Sequence, residues 1–272
     1  MDIRGYETGP IAAEAAFTSD FEIPGDLPVQ KLVDMLEIER RSMDIRPGMR
    51  HKYTPLRFDS AAGTPQIGGR YLFDTWDNVL DYDDFTSNEL EFEEGVKFWD
   101  RPFFLDVDRH IWRVTGAHDF TPLATTHHVN RFERWTYDGD AANAARLLEQ
   151  SWPALRDHAG AAGAASVWLL HQPDEKQIGV LTVAARTAAD TPGEAAARSL
   201  DALARTPSPG RLLPDALGAV QVFDRTSLIL AMWLPESRVL GGAPSAYPSA
   251  PVHPLPTVPP QEPRVHQDAR HM

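Results

Sequence analysis

Residues 127–185, HHVNRFERWTYDGDAANAARLLEQSWPALRDHAGAAGAASVWLLHQPDEKQIGVLTVAA, read as strand, helix, strand and strand, and this order decides the fold. His127–Trp135 has strand character. Gly139-Asp140 opens a helix over Ala141–His158, with Leu147, Leu148, Trp152 and Leu155 at helical spacing. Val167–Leu170 is a second strand. The polar turn Gln172–Lys176 leads into Ile178–Ala185 as a third, which makes a hairpin. Further on, Thr191-Pro192-Gly193-Glu194 has the form of a capping box with proline at the first helical position. It starts a helix over Ala195–Ala204, and Val220–Trp233 is the last strand. The order is β-α-β-β-α-β, a ferredoxin-like unit.

The residues before this stretch repeat the order. Phe17–Ile23 reads as a strand, and Pro28–Met43 as a helix with Leu32, Val33, Met35, Leu36 and Ile38 on one face. His51–Phe58 and Gly69–Trp76 make the hairpin. An acidic helical region follows, and Arg109–Val114 closes the unit. The expected fold class is therefore α+β, with two tandem ferredoxin-like units forming a dimeric-α+β-barrel-type fold. One such unit leaves a sheet face bare, and pairing two bare faces buries both. An apolar ligand is expected inside the barrel or between sheet and helices. The units span 1–120 and 121–238. The segment 239–272, rich in proline and short of aliphatics, is expected to be an extended tail.

Composition narrows the function. With 26 basic and 39 acidic residues the net charge is −13, which argues against nucleic acid and against anionic membranes as partners. The chain has no cysteine, so disulfides, thiolate metal sites and a cysteine nucleophile are excluded. The N-terminus lacks a basic start and an apolar core, and no apolar run approaches the length of a membrane span. A cytoplasmic protein is expected.

The chemistry-bearing stretch is Tyr71–Phe85, YLFDTWDNVLDYDDF, where a strand ends in Trp-Asp-Asn and turns into a helix carrying Tyr82 and Phe85. It resembles the antibiotic-biosynthesis monooxygenase family, whose third strand ends in Trp-Glu-Ser and whose next helix carries Phe and Trp at that spacing. The helix tryptophan of that family falls on Phe85. The tandem length, the acidity and the proline-rich tail look most like one subgroup, the oxygenases that cleave the B ring of angucycline polyketides. That resemblance implies an aromatic polyketide substrate, O2 as co-substrate, reduced flavin, a flavin reductase as partner, and a homodimer. No glycine-rich dinucleotide turn occurs in the sequence.

Seven tryptophans suit a flat polycyclic ligand by offset stacking. Trp76, Tyr82, Phe85, Trp99 and Trp112 in the first unit, with His128 and Asn130 in the second, are the expected substrate-binding residues. An oxygenase acting on a phenol needs a donor to steady the phenolate, a role for Asn78 or Arg113. It also needs a base, a role for His110 or His118. His127 and His128 point to opposite strand faces, so no metal is expected. The nine acids between Asp74 and Glu94 read as a solvated helix face. The first unit is expected to hold the active site and the second to be mainly structural. The alternatives are a cofactor-free anthrone-type monooxygenase, a polyketide cyclase, or a non-catalytic ligand-binding barrel.

Overall fold

Strand-forming residues from both halves of the chain pair into one antiparallel sheet that closes on itself. The computed structural model describes residues 8–28, 31, 46–58, 64–92, 95–121, 128–185, 192–233 and 264–265. The strands of the first half are β1 (Gly9–Pro10), β2 (Ala15–Glu22), β3 (Met49–Phe58), β4 (Pro65–Phe73), β5 (Leu90–Phe92), β6 (Val96–Lys97) and β7 (Leu105–Asp119). Those of the second are β8 (His128–Thr136), β9 (Ala164–Gln172), β10 (Gln177–Ala185) and β11 (Val220–Trp233). A last short strand, β12, is Arg264–Val265. The described α-helices are α1 (Trp76–Asp84), α2 (Ala141–Ala161) and α3 (Pro192–Arg205).

Neighbouring strands run β7-β2-β4-β3-β11-β8-β10-β9, and β9 pairs back onto β7, so eight strands close a barrel. The relative order within each half is the same: fourth, first, third, second. The fourth strand of each half also pairs with the second strand of the other. β11 meets β3 from Leu228↔Leu56 to Trp233↔Lys52, and β7 meets β9 from Arg113↔His171 to Asp119↔Ser166. The result is a mixed α/β fold built on an eight-strand barrel with few helices. The helix expected over Pro28–Met43 lies almost wholly outside the described residues.

Two first-half boundaries differ from expectation for visible reasons. Trp76 starts α1 instead of ending a strand, because Thr75 caps the helix, accepting from the Asn78 N–H at 3.2 Å. β7 extends well beyond Arg109–Val114 because its first part pairs with β2 and its last part with β9. In the second half Asp140 caps α2, accepting from the Asn143 N–H at 2.8 Å, and Gly163, at φ +83°, follows its end. Thr191 lies outside the described residues, and α3 begins at Pro192.

β2 is buried along nearly its whole length, since the barrel lumen covers one face and the α1 layer the other. Ala16 belongs to the lumen cluster, while Ala15, Phe17 and Phe21 belong to the outer one. Tyr53, Trp112, Phe132, Trp168 and Leu181 fill the lumen, as expected for bulky inward residues in a barrel of this strand number. Among the described residues the lumen is occupied by large side chains, and the other place expected for a ligand, between sheet and helices, is taken up below. Close packing also constrains the walls. A Cβ at Gly68 would lie 1.9 Å from the Ser19 carbonyl oxygen, so β2 and β4 would have to part. Gly68→Ala is expected to cost about 1–3 kcal/mol by urea unfolding.

Among the described residues no helix is long and apolar enough to cross a membrane. In the tail, Arg264 and Val265 pair with Glu91 and Leu90 of β5, next to the β5–β6 hairpin. The rest of 239–272 lies outside the described residues.

Candidate functional site

On the outer face of the first-half sheet, Lys52, Tyr71, Phe17 and Ile111 stand side by side on four consecutive strands. The face is aromatic. Phe17 stacks on Tyr71 with centroids 5.8 Å apart, and meets Tyr82 edge-on at 5.1 Å. Trp99, half-buried in the turn Phe98–Asp100, closes on Phe17 at 6.0 Å. Its indole N–H donates to Thr86 Oγ1 at 3.1 Å, which fixes the ring. Thr86 belongs to a π-helical turn, Phe85–Glu89, that continues α1. Such turns are uncommon and frequently accompany functional sites.

Cations border this face. The fully buried Lys52 Nζ lies 5.7 Å from the Tyr71 ring centroid. Arg109 covers Trp99 at 4.7 Å and donates to Ser87 Oγ at 3.0 Å. Arg46 covers Phe85 at 4.2 Å and is paired with Asp81. Burial pushes the Asp83 carboxyl up, against the opposing pull of Arg109. The acidic run is thus more than a solvated face: Asp74, Asp81 and Asp83 pair with arginines, and Glu89 and Glu91 are buried. The reason is that α1 and the turn after it pack beside Arg46, Arg50 and Arg109. Glu93 and Glu94 lie outside the described residues.

The residues singled out from the sequence fall into separate places. Tyr82, Phe85 and Trp99 lie in or against the aromatic cluster. Trp76 and Arg113 meet beside it, with the guanidinium 3.6 Å from the indole centroid. Asn78 sits at the same strand-to-helix corner, where its Nδ2 donates to Asp74 Oδ1 at 2.6 Å. Trp112 is in the lumen, donating to Thr18 Oγ1 at 2.8 Å. Asn130 is buried on β8, its Nδ2 3.4 Å from the Ser227 carbonyl. His128 is buried at the start of that strand. His118 faces Phe120, and burial lowers its pKa. Asn78, His110, Arg113 and His118 are therefore not gathered around one point.

His110 takes part in a charged network. Its Nδ1 meets Glu175 at 2.9 Å and its Nε2 meets Asp108 at 2.7 Å, with Arg134 against both His110 and Asp108. The hydrogen bond from His110, with Arg134 adding its charge, holds the Asp108 carboxyl down at about 2. A carboxyl depressed on folding contributes stability above its unfolded pKa and loses it as pH falls through the folded value. Because the Asp108 side chain is 40% exposed, solvent screening reduces the contribution to about 1 kcal/mol. Urea unfolding between about pH 4 and pH 2 should show this loss, and Asp108→Asn should flatten it.

Sequence reasoning missed the buried charges on strands. Arg70 is 1% exposed in the barrel wall and its Nη2 donates to both Asp20 carboxylate oxygens, at 2.7 and 2.9 Å, with Arg225 at 3.3 Å from the same carboxylate. His51 reaches Asp119 at 2.9 Å, and both are buried. The only local sign is a run of polar residues, Arg50-His51-Lys52, opening an otherwise strand-like segment.

No family model matches the chain, and no curated protein does. Solved structures do. A candidate monooxygenase from Fusobacterium nucleatum is 8% identical and superposes with a TM-score of 0.51, over 81% of this chain and 94% of its own. A candidate monooxygenase from Lactobacillus acidophilus is 10% identical with a TM-score of 0.48, over 79% and 92%. An anthrone oxidase-like protein is 10% identical with a TM-score of 0.47, over 86% and 100%. At such identity, what the first of these shares with the chain is the fold.

Proposed function

We propose that the chain is an oxygenase acting on a phenolic polycyclic aromatic, with oxidative B-ring cleavage of an angucyclinone as the specific reaction. In this proposal the two halves are ferredoxin-like units in tandem, the arrangement expected of such oxygenases. The observation that carries the reading is the first-half face where Phe17, Tyr71, Tyr82 and Trp99 converge beside the buried Lys52. Offset aromatic walls hold a flat ring system, and the half-buried Trp99 forms the side nearest solvent. The Lys52 charge, in a site poor in water, stabilises a phenolate oxygen far more than it would in bulk solvent.

Ring cleavage of this kind inserts one oxygen atom of O2 into a ring carbon–carbon bond. The second atom leaves as water, with two electrons and two protons from a diffusible donor of the reduced-flavin class. The described residues do not fit a resident flavin: Arg46 and Arg109 beside the face are engaged by Asp81 and Asp83, and nothing there cradles a phosphate. The donor would then reach the site by diffusion from a separate reductase.

A second reading, a non-catalytic ligand-binding barrel, is favoured by the dispersal of Asn78, His110, Arg113 and His118. Incubation with a phenolic angucyclinone under ¹⁸O2, with and without reduced flavin, separates the two. The oxygenase reading expects one labelled oxygen atom in the product. Saturable binding with no product under either condition would establish the carrier instead.

A further inference from the structure

The second half was expected to serve mainly as a structural partner, yet its helix layer leaves a space. A cavity of about 170 Å³ lies between β9–β10, the C-terminal end of α2, and α3. Its walls are mostly small and apolar, with Ala159, Ala164, Ala184, Ala202 and Leu203 among them, and no charged side chain lines it among the described residues. The cavity follows from alanines where larger side chains would have met.

The polar groups on its walls are hydroxyls. Thr182, 6% exposed, has an Oγ1 with no hydrogen-bond partner. Buried hydroxyls are rarely left this way, and a ligand group is one means of completing them. Thr206 Oγ1 donates its proton to the Ala202 carbonyl at 2.9 Å and keeps lone pairs that can accept. Size sets the ligand class, because an apolar cavity of about 150 Å³ holds a single benzene ring. Charge restricts it further, since none of the described wall residues would compensate an ionised group.

We propose that this cavity is a second ligand site, separate from the first-half face, that takes an uncharged monocyclic phenol or an alcohol of similar size, with Thr182 bonding its hydroxyl. The full chain would be titrated with phenol, toluene and benzoate by ligand-observed NMR and calorimetry. Saturable phenol binding with a Kd on the order of 1 mM or below is expected. Toluene should bind more weakly, and benzoate not at all. Ala202→Leu fills the space and should abolish phenol binding. The near-isosteric Thr182→Val should weaken phenol by about 3–10-fold while leaving toluene unchanged. Absence of saturable phenol binding, or binding untouched by both Ala202→Leu and Thr182→Val, would overturn the proposal. Thr182→Val decides the matter if Ala202→Leu fails to fold.

Discussion

Asp20→Ala is expected to lower the unfolding free energy by about 3–5 kcal/mol, because it strands a buried guanidinium. Arg70 is almost wholly buried and its Nη2 donates to both oxygens of the Asp20 carboxylate, which also faces Arg225. Without Asp20 two cations remain close together, and burial already disfavours the charge on Arg225. Arg70 also lies 4.5 Å from the Phe132 ring, so it joins a first-half strand to a second-half one across the lumen. The loss is thus felt by both halves at once. Replacing the pair together, as Asp20→Leu with Arg70→Met, should recover most of the stability, since two buried charges then disappear together. Denaturant unfolding followed by circular dichroism reads both. A loss below about 1 kcal/mol for Asp20→Ala would mean that water reaches Arg70.

The second large effect is on turnover. Lys52→Met keeps the side-chain length and removes the charge beside the aromatic face, and should lower kcat by about 10²–10³-fold. Because Lys52 is fully buried, a merely structural role has to be separated from a catalytic one. The absorbance of a bound phenolic ligand does this: wild-type protein should shift it toward the phenolate spectrum, and Lys52→Met should not. A variant that binds the phenol with an unshifted spectrum and loses turnover supports the charge role. Unchanged turnover would remove Lys52 from the site.

The sequence made the second half legible because its signals are local. Leu148 and Leu155 lie on the buried face of α2, Asp140 caps it, and the hairpin turn is polar. The closed barrel was less legible, because the pairings that close it join residues far apart, such as Leu228 with Leu56. Strands covered on both faces also lose the alternation that would tell lumen from helix side. Trp112 and Trp99 look alike in sequence, yet one is in the lumen and the other on the outer face. Of the site, the Trp76–Asn78 corner and the aromatics Tyr82, Phe85 and Trp99 could be picked out by residue type. Lys52 could not, since a lysine on a strand ordinarily reads as surface, and its burial follows from the covering of both sheet faces.

Binding of a phenolic polycycle to the outer face of the first half would be visible in a structure of the protein with that ligand. The ring system is expected to lie against Phe17, Tyr71 and Trp99, with its phenolic oxygen turned toward Lys52 Nζ. A ligand seated elsewhere, or one whose phenolic oxygen points away from Lys52, would contradict it.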